Sequence, residues 1–477
     1  MKKIIFSIFL CFSMTTTPPH IDVSAKEFEN LNFYTDNKED VLRVNSQELI
    51  PPFNPDIQNY HLNHLTALNE NKISLGNQTK SFKLKQIDRF KVLEVFINNK
   101  KYRLHLYPEE MPYQVFNQLS DQKPEQTYFL AAPFEGSCKK GSFAYILNEK
   151  GALLYYQKAS EGKCFSDFKQ HKLLNGEILY SVMHQEAPMP PHAYWSGSLL
   201  VLDKNLNQIN KLKILETEKH PALGVENHDS IILDKNHYIL TAYHEKEVFH
   251  PETEEPVYIA ETVIQEIKDN KIIFDWTSSE YPELLKLFKY PNHKLDKTVW
   301  DYLHFNSILI DPKDNNFILS FASISTIIKI NRRTGEIMWK LGGLGDEFKL
   351  SSEKLFYGQH SLSFTKDKSL LLFDNQSHIF AGRILKDTST LQKSSRVLKF
   401  KLDEANKKII AFDKIDLNFQ TESLGSVYET DADTFIINAG QKKKIQKMRL
   451  ENNKVNLLYE IDFSTPTYRV YEVKSLY

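Results

Sequence analysis

Ile327-Ile328-Lys329-Ile330-Asn331-Arg332-Arg333-Thr334-Gly335-Glu336-Ile337-Met338-Trp339 reads as two short strands folded about a polar turn. Asn331 and Gly335 supply the turn, and the second strand ends on an aromatic. The same design recurs at 144–156, 199–214, 263–276, 397–412 and 445–459. Most copies follow another strand pair, as Ser307-Ile308-Leu309-Ile310 and 316–321 precede this one. Four strands per unit and six units predict an all-β fold, a six-bladed β-propeller. An ordinary sandwich with coincidental hairpins is the competing fold.

Residues ahead of the first repeat differ in kind. Short alternating strands, from Leu49-Ile50-Pro51-Pro52-Phe53 to Tyr102-Arg103-Leu104-His105-Leu106-Tyr107, lack the hairpin pattern. They predict a small antiparallel N-terminal β-sandwich domain over 26–110, a linker near 108–112 and a propeller over 111–477. One helix is expected, over 281–288, between the third and fourth blades. The last strand, 467–476, is expected to seal the ring by pairing the two chain ends.

A chain of 477 residues suits a large propeller with a small extra domain. Its 31 Phe and 23 Tyr suit many short strands. With 60 basic against 61 acidic residues, nothing favours a nucleic-acid partner or a polybasic membrane contact. Lys2 and Lys3, the apolar run Ile4 to Met14 and Val23-Ser24-Ala25 form an export signal over 1–25. That run is too short for a permanent anchor, so a periplasmic or secreted protein without a membrane anchor is expected after cleavage. Cys11 lies inside the signal, and Leu10 before it is not the small residue that lipid attachment requires. Cys138 and Cys164 then remain, an even pair that predicts a disulfide around Lys139, Gly141 and Gly162.

Three segments carry a histidine just ahead of an apolar run. They are Asn227-His228-Asp229-Ser230-Ile231-Ile232, Leu303-His304-Phe305-Asn306-Ser307-Ile308 and Gln359-His360-Ser361-Leu362-Ser363-Phe364. At equivalent points of blades three, four and five, His228, His304 and His360 are expected to converge on the mouth of the central channel. Asn306, two residues after His304, is expected to point the same way along a strand. Converging imidazoles have three reactive uses: a zinc site with an open position, a proton-transfer pair, or a nucleophile flanked by donors to an oxyanion. A histidine that merely caps a strand end is the plain alternative for each taken singly. The remaining signals are plain: His61 and His64 read as surface residues, 188–195 as a blade-edge loop and Lys442-Lys443-Lys444 as a solvated turn.

With these residues in view the chain resembles the bacterial aryl sulfotransferases, exported six-bladed propellers that move a sulfuryl group between phenols. The resemblance rests on Glu226-Asn227-His228-Asp229, on Asp301-Tyr302-Leu303-His304-Phe305-Asn306-Ser307, on Trp339-Lys340-Leu341-Gly342-Gly343, and on Gln359-His360 with Leu371-Leu372-Phe373-Asp374-Asn375. Ser395-Arg396 and Tyr468-Arg469 also look like family positions, and the N-terminal sandwich resembles the family's extra domain. The resemblance implies that His360 takes the sulfuryl group as a sulfohistidine, with His304 and His228 holding sulfate oxygens or assisting the phenolate. Asn306 and Arg396 would bind substrate. It further implies a phenolic sulfate donor, a phenolic acceptor, ping-pong kinetics, no cofactor and no metal. A homodimer is left open.

One position departs from the family. Leu319-Ser320-Phe321-Ala322-Ser323 has alanine where the family carries an arginine. Loss of such a charge donor costs roughly a hundredfold or more in rate. Arg383, Arg396 and Lys329 are the candidate replacements; a shifted donor specificity, a weak enzyme and a propeller that only binds a small aromatic or anion are the consequences to separate. Thr334-Gly335-Glu336-Ile337-Met338-Trp339 also resembles the blade-packing motif of quinoprotein dehydrogenases, but those need eight blades and commonly adjacent cysteines.

Overall fold

The computed structural model describes residues 30–34, 42–44, 47–48, 59–62, 71–82, 92–106, 114–119, 126–133, 138–139, 141–149, 151, 153–186, 195–287, 299–382, 384–385, 388–389, 391–451 and 454–476. The segment 1–25 read as an export signal, the linker 108–112, the run 49–53, residues 188–194 of the expected blade-edge loop, His64 and Arg383 lie outside them.

The hairpin that opens the chain's reading is the outer half of a four-stranded antiparallel sheet: Phe305–Ile310, Phe317–Phe321, Thr326–Ile330 and Ile337–Leu341, in that order. Its first three strands are buried almost throughout, because both faces of the sheet meet another sheet. Five more sheets complete the ring; numbered I to VI in chain order, the blades carry the hairpins at 144–156, 199–214, 263–276, 327–339, 397–412 and 445–459, and blades II, III and V share the strand order of blade IV. All six predicted hairpins form the third and fourth strands of a blade counted from the axis, so the chain is a six-bladed β-propeller. The first strands of successive blades touch one another around the axis, as Phe305–Ile310 touches His360–Phe364 and the latter touches Ser426–Asp431.

The core is six apolar seams, one for each gap between neighbouring blades. Phe305 and Leu319 meet Ile239 and Ile264 of blade III, while Trp339 and Leu341 meet Leu372 and Leu398 of blade V. Corresponding seams join blades V and VI, VI and I, I and II, and II and III. A ring of seams has no end, so every blade buries both faces. The tryptophan that ends a blade's outer strand also docks on the next blade. Trp276 Nε1 donates to the Gly335 carbonyl at 3.2 Å, and Trp339 Nε1 donates to Glu404 at 3.0 Å. Gly335 has φ 79, and a Cβ there would lie 2.6 Å from Tyr281 Oη and 2.9 Å from Trp276 Cδ1. Only glycine makes that turn and leaves room for the indole.

The ring is sealed as expected. Thr467–Val473 runs antiparallel to Tyr128–Pro133 and forms the innermost strand of blade I. A fifth strand that the hairpin pattern missed, Gln114–Gln118, extends blade VI along Lys454–Phe463. The expected helix over 281–288 is one turn, Pro282–Leu285, after a 3₁₀ turn, and it begins at proline without a side-chain cap. A second one-turn helix, His378–Ala381, was not foreseen.

Ahead of the propeller lie two four-stranded sheets that share one apolar cluster, including Phe33, Leu42, Ile73, Leu75, Val95 and Leu104. They are not purely antiparallel as expected: Asn30–Phe33 pairs parallel with Val92–Ile97, and Asn59–Leu62 pairs parallel with Lys100–Leu106. Cys138 and Cys164 form the expected disulfide, with Cα atoms 5.6 Å apart, packed against Met183 and Trp195. No helix among the described residues is long and apolar enough to cross a membrane.

Removing the chain from Thr467 onward takes away the innermost strand of blade I and opens the seam to blade VI. The expected outcome is loss of the cooperative thermal transition followed by circular dichroism; an unchanged transition would show that the ring does not depend on this strand.

Candidate active site

The three histidines do converge. His228 and His304 have ring centroids 5.1 Å apart, and His304 and His360 lie 6.3 Å apart. All three are buried. Their backbones reach this point by irregular means. His304 has φ 50 and Ser361 has φ 51, left-handed values outside strand geometry. Register shifts follow between Phe305 and Ser307 and between His360 and Ser363. Such bulges re-aim side chains at the end of a strand. They also undo the expected alternation of His304 and Asn306, because His304 precedes its strand instead of lying on it.

Each ring is held by its Nδ1. Asp301 takes both the backbone N–H of His304, at 2.9 Å, and the ring Nδ1–H. Glu226 does the same for His228, with the backbone bond at 2.9 Å. Glu226 is itself fixed by the Thr241 hydroxyl at 2.6 Å and the Asp229 N–H at 3.1 Å. His360 is held differently. Its Nδ1 lies 2.8 Å from Asn375 Oδ1 and 2.9 Å from the Gly358 carbonyl. Asn375 Nδ2 donates to the carbonyls of Thr421 and Leu424, each at 2.9 Å, which fixes Oδ1 toward the imidazole. Both partners are acceptors, so Nδ1 of His360 carries the proton and Nε2 carries the lone pair. Burial, reinforced by the neighbouring His304, pushes the His360 imidazole down to about 3. The ring is therefore neutral at ordinary pH. Among the described residues, none of the three Nε2 atoms has a hydrogen-bond partner.

Beside the imidazoles lies a buried charge cluster that joins four blades. Asp229, next to His228, accepts from Lys169 Nζ of blade II at 2.7 Å and lies 3.2 Å from Arg469 Nη1 of blade I. Its second oxygen accepts from the Ser307 hydroxyl at 3.2 Å and the Ile308 N–H at 3.1 Å in blade IV. Asp167 completes the balance, 2.8 Å from Lys169 and bonded by the Tyr471 hydroxyl at 2.6 Å. Burial opposes ionisation of Asp229, but Arg469 and Lys169 outweigh it and hold the carboxyl below its usual range. Arg469 Nη2 and the Tyr468 hydroxyl both donate to the Asn306 carbonyl, at 2.8 and 3.0 Å. The Tyr468 ring packs 5.4 Å from His228. Asn306 lies within this cage: Nδ2 donates to the Gln359 carbonyl at 2.7 Å, and buried Oδ1 has no partner.

Other expected site residues lie elsewhere. The Arg396 guanidinium is taken up by Asp374, at 2.5 and 2.9 Å, and by the carbonyls of Glu353 and Leu355 at 3.1 and 2.6 Å. It braces the strand before Asn375 and has this internal work in place of the substrate contact expected of it. Lys329 is enclosed by Asp311, Asp314 and Glu404 at the seam of blades IV and V, so it supplies no replacement charge at the histidines. Among the described residues, those three carboxylates are the one group with metal-ligand spacing; the three imidazoles are more widely set. Ala322 is buried beside the site, its N–H donating to the His304 carbonyl at 3.0 Å. Lys444 is no solvated turn residue: it opens a strand and pairs with Glu460 at 3.1 Å.

A family model described as arylsulfotransferase (ASST) matches residues 169–460, more than half of the chain, and contains all three histidines and Asn306. No curated protein matches. Among solved structures, a protein of unknown function from Bacteroides caccae is similar at 11% identity and TM-score 0.44, over 74% of this chain and 100% of that one. A periplasmic gluconolactonase from Pseudomonas aeruginosa is similar at 10% identity and TM-score 0.41, over 73% and 99%. Likenesses this remote carry no argument about function.

The cluster gives a stability prediction. Asp229→Ala leaves the buried cations Lys169 and Arg469 with Asp167 as their single facing anion, and should cost about 3–5 kcal/mol in urea unfolding. A loss below about 1 kcal/mol would mean that the charges find water instead.

Proposed function

The chain belongs to the arylsulfotransferase family, and on that premise we propose that it moves a sulfuryl group from a phenolic sulfate ester to a phenol through a sulfohistidine at His360. The observation that carries this reading is the hydrogen bonding of His360, whose Nδ1 faces two acceptors and whose Nε2 is left as a lone pair. That nitrogen attacks sulfur, the bond to the phenolic oxygen breaks, and the leaving phenolate takes a proton from His304, with His228 beside it. Their carboxylate-anchored rings aim Nε2 toward the transferring group, so they also hold its oxygens. In the second half, His304 takes the proton of an incoming phenol, whose oxygen attacks sulfur and restores neutral His360. Two displacements through one covalent intermediate give ping-pong kinetics and require no nucleotide sulfate donor. The Asn306 amide oxygen is buried and unpartnered, which supports a role in accepting from the phenol hydroxyl. The export signal 1–25 directs the protein to the periplasm or outside, and 26–110 and 111–477 are its two domains.

Release of nitrophenolate from 4-nitrophenyl sulfate in the presence of phenol tests the reading. His360→Ala should abolish release. Asn375→Leu, which frees the tautomer of His360, should lower kcat about a hundredfold or more. If the wild type releases none, Ala322 favours the alternative, a propeller that binds a small aromatic or anion without turnover.

The pH dependence has a definite sign. A nucleophile held down at about 3 stays unprotonated as pH falls below the ordinary imidazole range, so His360 predicts no acid loss of kcat/KM until the approach to about 3. A limb near 6.5 that disappears in Asn375→Leu would contradict this assignment of His360.

A further inference from the structure

Phe380 is the one apolar side chain whose ring contacts two of the three imidazoles among the described residues. Its centroid lies 5.3 Å from His304 and 6.3 Å from His360. It stands on the one-turn helix His378–Ala381 and is 6% exposed, whereas Ile379 beside it is 61% exposed. The helix thus separates the imidazoles from solvent with one phenyl ring.

The position of that ring is tied to the backbone of the nucleophile. Gly358, with φ 65, supplies the carbonyl that fixes His360 Nδ1. A Cβ on Gly358 would lie 2.7 Å from Phe380 Cδ2 and 2.9 Å from Ser377 Cβ, so the helix rests directly on this glycine. Ser377 caps the turn by accepting from the Phe380 N–H at 3.3 Å, and its hydroxyl donates to Glu422 at 2.9 Å. A cover anchored in this way does more than fill space.

We propose that Phe380 is a positioning residue that decides the fate of sulfurylated His360: it withholds water, so that the sulfuryl group passes to a phenol and not to water. The proposal rests on the transfer chemistry above. In transfer, the Nε2–S bond breaks, a phenol oxygen–S bond forms, and the phenol's proton goes to His304. In hydrolysis the same Nε2–S bond breaks, a water oxygen–S bond forms, one water proton goes to His304, and hydrogen sulfate and neutral His360 result. Both outcomes are balanced, and they differ only in which oxygen reaches sulfur. A phenol gains an aromatic contact from the ring, while water gains nothing.

Burial by this cover also contributes to the low titration of His360. The other groups facing that ring are His304 with Asp301, His228 with Glu226, the Asn375 amide and the Gly358 carbonyl, and Glu422 and the Asp374–Arg396 pair lie one contact farther out. Removing Phe380 leaves all of these in place.

The test uses the full chain with sulfur-labelled 4-nitrophenyl sulfate and phenol, and measures inorganic sulfate against phenyl sulfate. Wild type should give chiefly phenyl sulfate, and Phe380→Ala should raise the hydrolysed fraction about tenfold, equivalent to about 1.4 kcal/mol of discrimination. Phe380→Leu should fall between them, and serves if the alanine variant does not fold; Phe380→Tyr should keep the wild-type ratio. A folded variant that turns over more slowly with an unchanged ratio would overturn the proposal, because a merely structural role slows both paths alike. A second readout needs no turnover: the His360 imidazole, followed by NMR, should titrate closer to about 6.5 in Phe380→Ala. If the wild type releases no nitrophenolate, the transfer reading falls and the partition with it. An unmoved titration overturns the cover itself.

Discussion

Closing six sheets around an axis forces polar groups from different blades to face one another in the middle, and the Asp229 carboxylate gathers them. It meets Lys169 from blade II, Arg469 from blade I, and Ser307 with Ile308 from blade IV, while its own chain enters blade III. Two cations, Lys169 and Arg469, balance two anions, Asp167 and Asp229. A buried set of this kind is weak evidence for stability, since apolar replacements often serve as well. Its contribution is position: it locks four strand ends in one register.

That register is what the site uses. Three members of the hub are chain neighbours of residues at the imidazoles: Asp229 of His228, Ser307 of Asn306, and Arg469 of Tyr468. A shift of one blade against another would move an imidazole relative to its partners and leave Asp229 incompletely satisfied. The same contacts between blades therefore hold three side chains, from segments far apart in the chain, around one small volume. His360 is fixed from a different direction. Asn375 and Gly358 set its tautomer, and the Asp374–Arg396 pair braces the strand that carries Asn375.

Much of the wheel was legible in the sequence because its outer strands are half exposed and so alternate, with turns marked by residues such as Gly335. The three histidines were legible for a related reason, since they stand ahead of equivalent strands. What escaped lacks any local signal. The reasoning for Asn306 lost its premise because His304 takes a left-handed backbone ahead of the strand, which no periodicity announces. Arg396 was read as a substrate residue because its partner Asp374 lies 22 residues earlier, on an adjacent strand. One turn of helix at His378–Ala381 carries no helical period, so the cover over the imidazoles went unseen. Lys169 and Asp167 sit in a first strand, Phe165–Lys172, that lies ahead of its hairpin and carries no motif. Asp229 did carry a signal, as a neighbour of His228, although its partners could not be named.

The proposed transfer requires a covalent sulfuryl group at one nitrogen. Rapid quenching of the full chain with 4-nitrophenyl sulfate in the absence of acceptor, followed by mass spectrometry of intact protein and peptides, measures this directly. The account predicts a single sulfuryl adduct on His360, lost on addition of phenol and absent from His360→Ala. Nitrophenolate release with no adduct, or with the adduct on another residue, would contradict it.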